Sequence, residues 1–169
     1  MSSLDERLEQ APQTLAALLA RPFPAEPAEP NTTYAWEFYQ TFLADAPDRL
    51  IDVLCGDYHD SEADRWDNED EEAEEPETLY DYEASYDRIY ERAISAVEQV
   101  MGPAVRITGP SDSGEHFDDT LFNFDRNELA YWLHGDRIAL IHYASHAGDG
   151  DFQLSVSAAV IPRRSGSSA

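Results

Sequence analysis

Apolar residues follow one spacing up to Met101 and another beyond it. In the first stretch they recur three and four residues apart, the stripe of an amphipathic helix. From Ala104 they alternate with polar residues, the pattern of a strand with one face buried. Residues 4–20 place Leu4, Leu8, Leu15, Leu18 and Leu19 on one helical stripe, and Ser3 followed by Glu6 forms a capping-box pattern at its start. Pro12 would kink or split a continuous helix, so the spacing predicts a short first turn and then a helix from Pro12, or a frayed N-terminus. A second helix is predicted over 34–45, capped by Thr32 or Thr33 and crowded with Tyr34, Trp36, Phe38, Tyr39, Phe42 and Leu43. That aromatic stripe reads as core rather than as a ligand platform. Pro47 then predicts a short helix over 47–55, ending at Gly56. The clearest helix covers 78–101. Tyr82, Tyr86, Ile89, Tyr90, Ala93, Ile94, Val97, Val100 and Met101 trace its apolar face, and Gly102-Pro103 stops it.

Strands are predicted over 104–108, 120–125, 128–134, 137–145 and 152–161. Gly135-Asp136 is a two-residue hairpin turn, which sets a register: Leu133 opposite Ile138, Tyr131 opposite Leu140, Leu129 opposite His142. These residues make one apolar face, which the helices are expected to cover. On the last strand Phe152, Leu154, Val156, Ala158 and Val160 are expected to face in, and Gln153, Ser155, Ser157 and Ala159 out. The fold class is α+β, with N-terminal helices packed on a C-terminal antiparallel β-meander of four to five strands. One domain over 1–162 is expected, with a disordered tail over 163–169.

Two segments break these patterns. Residues 21–33, RPFPAEPAEPNTT, carry four prolines and predict an extended, semi-rigid connector. Residues 57–77, DYHDSEADRWDNEDEEAEEPE, hold twelve carboxylates against one Arg. From Glu69 to Glu77 there is no apolar period and the charges repel one another, which predicts a mobile acidic insertion. The excess extends to the whole chain: 35 Asp and Glu against 11 cations, all Arg, for a formal net charge of −24. Such a chain repels nucleic acid and anionic lipid and attracts basic partners. With 42% hydrophobic residues in 169, it still has the material for a core.

The groups that could carry chemistry do not assemble into a motif. Cys55 is the single cysteine and reads as a buried structural thiol; its nearest local charges, Asp52 and Asp57, oppose a thiolate. His142 and His146 lie four apart on a predicted strand, a span of about 13 Å, too far for one zinc ion, and His134 falls on the opposite face. The carboxylate run lacks the spaced ligands and turn glycine of a calcium loop. No nucleophile elbow, P-loop, dinucleotide fingerprint or C-x-x-C occurs. The chain is therefore expected to be a non-enzyme without cofactor or metal. No run approaches a membrane span and MSSLDERLEQ lacks a signal-peptide apolar region, so the cytoplasm is the expected location.

A helix ending in Gly-Pro, the meander around AYWLHGDRIALIHYA and a closing Val160-Ile161-Pro162 together resemble small bacterial immunity proteins, over about residues 85–162. Those proteins neutralise polymorphic or contact-dependent toxins. The resemblance implies an inhibitor of one cognate basic toxin. Asp67, Glu69, Asp70, Glu71, Glu72, Glu74 and Glu75 would supply the field, and Trp66, Tyr80 and Tyr82 the anchors. Two other readings stay open: a nucleic-acid mimic or regulator of a DNA- or RNA-binding protein, and a non-catalytic accessory interaction domain whose acidic stretch keeps it soluble.

Overall fold

A computed structural model describes residues 3–30, 40, 43–60, 79–108, 126–147 and 151–163. Pro12 splits the first helical stripe as its chemistry requires. Helix α1 (Leu4–Glu9) starts at Ser3, whose Oγ accepts the Glu6 N–H at 3.2 Å. Helix α2 (Ala11–Leu19) takes Pro12 in its first turn, where a missing N–H leaves no helical bond unmade. Leu8, Ala11, Leu15 and Leu18 are buried.

Residues 21–30 of the Pro-rich connector have no regular secondary structure and touch the fold at a few points. Arg137 donates to the C=O of Leu19 at 3.3 Å and to the C=O of Arg21, and its guanidinium stacks over the Phe23 ring at 4.4 Å. Farther along, the Ala28 N–H donates to the Asp45 C=O at 2.8 Å, and Arg21 pairs with the Asp45 carboxylate at 3.0 Å. The other Asp45 carboxylate oxygen accepts the Ile51 N–H at 2.9 Å. One aspartate thus joins the connector to the start of the next element.

That element is a strand, β1 (Leu50–Asp60), and not the helix expected over 47–55. Pro47 and Asp48 occupy a tight turn closed by reciprocal Ala46–Arg49 backbone bonds of 2.8 and 3.0 Å, so Pro47 does not start a helix. The run Leu50-Ile51-Asp52-Val53-Leu54 alternates, and its β-branched Ile51 and Val53 favour extended backbone. Pairing with the last strand then supplies partners for its backbone amides. Gly56 is a strand residue opposite Ser155, and Asp57–Asp60, the start of the acidic stretch, are the last four residues of β1.

Helix α3 (Leu79–Met101) matches its pattern: Tyr86, Tyr90, Ala93, Ile94 and Val97 are buried. It ends at Gly102, whose φ of +86° is open to glycine without strain and whose N–H donates to the Glu98 C=O at 2.9 Å. Strands β2 (Val105–Thr108), β3 (Arg126–His134), β4 (Arg137–Ala147) and β5 (Asp151–Pro162) form the expected meander. β1 pairs with β5, giving a five-stranded antiparallel sheet in the order β1-β5-β4-β3-β2. Gly135, at φ +63°, makes the β3–β4 turn, and all three predicted cross-strand pairs hold. The strand expected over 120–125, and the helix expected over 34–45 apart from Gln40 and Leu43–Asp45, lie outside the described residues.

The register was right, but the helices pack on the other face. α1, α2 and α3 cover Ala130 and Trp132 of β3, Ala139, Ile141 and Tyr143 of β4, and Leu154, Val156, Ala158 and Val160 of β5. Leu129, Tyr131, Ile138 and Leu140 face away from them, in a second cluster with Leu43, Ile107, Ala159 and Ile161. Alanines at 130, 139 and 158 let helices approach the sheet, and Trp132 and Tyr143 fill the gaps between them. Gln153, Ser155 and Ser157, expected to face out, point to this second side and are buried too. At the centre of the helix side, the Tyr143 ring meets Tyr86 and Tyr90 edge-on, with centroids 6.1 and 5.7 Å apart. Tyr143→Ala should cost about 3–5 kcal/mol in urea unfolding, as large-to-small changes in cores do. Val100→Ala, on the same helix stripe but exposed, should stay within about 0.5 kcal/mol.

Candidate partner-binding surface

Of the residues expected to bind a partner, Trp66, Asp67, Glu69, Asp70, Glu71, Glu72, Glu74 and Glu75 lie outside the described residues. Tyr80 and Tyr82 fall in the first turns of α3. The structure places both attachments of the acidic stretch. It leaves the sheet at the end of β1, which lies at one side of the strand order, and it returns at the start of α3, the longest helix. Both attachments belong to packed elements: β1 through Leu50 and Leu54, α3 through its five buried apolar side chains.

The described surface holds a feature that the sequence pattern had not marked. Gly102 stops α3 just after Met101, which packs against the helix-side core, and the chain turns through Pro103 and Ala104 into β2. The Trp132 indole N–H donates to the Gly102 C=O at 2.8 Å and holds this corner against β3. The Glu98 carboxylate accepts the Ala104 N–H at 3.0 Å and fixes the outgoing backbone. The corner and α2 enclose a groove of about 600 Å³, lined by Ala16 and Leu19, Val100 and Met101, Val105, and Leu133, with Trp132 in its wall. Val100, Val105 and Leu133 are 69, 52 and 44% exposed, the large apolar side chains most open to solvent among the described residues, and all three line this groove. Val100 was expected on the buried stripe. Its neighbour Met101 packs against the helix-side core, and Val100 itself lies in the lining of the groove beside α2.

A second trough continues from the groove along the seam of α1, α2 and α3. It shares Pro12 and Val100 with the groove and adds Glu9, Gln13, Glu91, Arg92 and Gln99. Its Arg92 is paired with Asp5 at 2.6 Å. Nearby, Glu91 holds Arg106, whose guanidinium also lies 5.6 Å from the Tyr90 ring centre. Burial pushes the Tyr90 hydroxyl above its ordinary range, so it is neutral and contributes no charge.

The possible reactive groups are dispersed. Cys55, expected to be buried, is half-buried, and its Sγ donates to the Tyr86 hydroxyl at 3.3 Å. His134 is exposed on the helix side of the sheet, and His142 is buried on the other, 1% exposed, opposite Leu129 on β3 and Ser157 on β5. Among the described residues no three His, Cys, Asp or Glu side chains gather as a metal site, and no helix is long and apolar enough to cross a membrane. No protein-family model, curated protein or solved structure matches the chain.

Burial lowers the His142 pKa from 6.5 to about 4. The unfolded chain therefore takes up this proton first as pH falls. The His142 contribution to stability is complete above pH 6.5 and is lost progressively as pH drops towards 4. His142→Leu removes that dependence. Between pH 7 and pH 4 the variant should lose up to about 3 kcal/mol less unfolding free energy than the wild type in urea titrations. Parallel losses would mean that the imidazole is charged in the folded protein.

Proposed function

We propose that the protein is an acidic inhibitory binding protein, of the kind that confers immunity by occupying a basic toxin domain. One observation carries this reading: twelve carboxylates against one Arg lie in the single stretch 57–77, within a chain of net charge −24. The described elements that flank the stretch, β1 and α3, both pack into the core. Enzymes that cut nucleic acid present cationic clefts to phosphate, and a dense anionic surface accelerates encounter with such a cleft and excludes its substrate. Asp67, Glu69, Asp70, Glu71, Glu72, Glu74 and Glu75 act as the field in this proposal. Trp66, Tyr80 and Tyr82 supply desolvated contacts, because charge gives rate and selectivity while aromatic anchors give residence time. Inhibition is steric and electrostatic and needs no chemistry from this chain.

Tagged protein, wild type and with residues 67–77 deleted, would be exposed to lysate of the source cells at low ionic strength. The wild type should retain one basic protein in a 1:1 complex that dissociates as salt rises, and the deletion should lose it. Equal capture by both forms, with the same salt dependence, would sink the proposal.

A further inference from the structure

We infer that Ser155 and Ser157 of β5 form an internal water-binding site, in which ordered water bonds both hydroxyls on the side of the sheet away from the helices. The two side chains are 1 and 0% exposed, and among the described residues neither hydroxyl has a hydrogen-bond partner. Buried polar groups in folded proteins are paired with protein or with ordered water. Two unpaired hydroxyls in successive positions on one strand face therefore point to an occupant. β5 lies between β1 and β4, so the backbone groups around both serines are engaged in ladder bonds within the sheet. The hydroxyls project out of that plane and take their partner from above it.

The register shows where the occupant fits. Ser155 lies between Gly56 of β1 and Ala144 of β4, which bring no side chain on one flank and a single methyl group on the other. Ser157 lies between Val53 and His142. Side chains two positions apart on a strand stand about 6.6 Å apart, close to the reach of one water making two bonds of about 2.8 Å. The His142 imidazole and the Gln153 amide bring further polar atoms to the same buried face, and a buried water needs two to four such groups.

Burial and chemistry select water over other guests. His142, Ala144, Gln153, Ser155 and Ser157 are all at most 1% exposed, which leaves little reach for a larger solute. An apolar guest would leave both hydroxyls unbonded. A charged guest would need an opposite charge beside it, and the residues flanking the two serines carry none at neutral pH. A hydroxyl both donates and accepts, and water matches it on both counts. Gly56 is exposed on the edge strand β1, so the path from solvent to Ser155 is short. The inference stands apart from the partner-binding proposal and does not depend on it.

A crystal structure of the full wild-type chain at neutral pH, at a resolution that shows ordered water, is the direct test. Water oxygens should lie within hydrogen-bond distance of both Ser155 Oγ and Ser157 Oγ. A protein atom bonded to either hydroxyl in place of water, a dry site, or density larger than water would overturn the inference without any variant. In solution, oxygen-17 relaxation dispersion counts long-lived internal waters. Wild type should show at least one more than the double variant Ser155→Ala with Ser157→Ala, which removes only the two oxygens. An equal count in the two folded proteins would overturn the inference.

Discussion

Burial of the β4–β5 pair on both faces is the constraint from which the rest of the architecture follows. Every residue from Ile138 to Ser145 and from Gln153 to Ile161 is buried. An antiparallel sheet commonly leaves one face to water; here the central strands need cover on both. The helices supply it on one side, against small alanines that admit them and large Trp132 and Tyr143 that fill what the alanines leave. The other side gathers Leu43, Ile107, Leu129, Tyr131, Ile138, Leu140 and Ile161 with His142 and the row Gln153, Ser155, Ser157. Among the described residues the hydroxyls of Ser155 and Ser157 have no hydrogen-bond partner. A buried hydroxyl left so costs about 1–3 kcal/mol.

Two corners translate that core into surface. At one, Arg137 leaves the β3–β4 turn, donates to the carbonyls at the end of α2 and stacks on Phe23, so the Pro-rich segment lies on the fold. Asp45 continues the same path, with one carboxylate oxygen on Arg21 and the other accepting the Ile51 N–H of β1. At the other corner, Trp132 grips Gly102 and Glu98 grips Ala104, which sets the point where α3 stops and β2 begins. The aliphatic groove lies beside that stop.

Much of this was legible in the chain. Ser3, Pro12, the stripe from Tyr86 to Val97, the Gly102 stop and the Gly135-Asp136 turn each act within a few residues, so local chemistry decides them. The hairpin register followed because a two-residue turn leaves one pairing. The absence of lysine and the net charge are composition and need no fold. What failed required knowledge of distant neighbours. Leu50–Cys55 suits a helix or a strand by local preference, and β5 decides in favour of the strand. Which sheet face the helices cover depends on fit between alanines and helix backbones. The exposure of Val100, and with it the groove, depends on how α2 and the edge of β3 sit against the end of α3. Local propensity and charge are properties of the sequence itself. Sidedness, edge pairing and concavity exist only once segments far apart in the chain compete for the same surface, and the tertiary structure alone settled them.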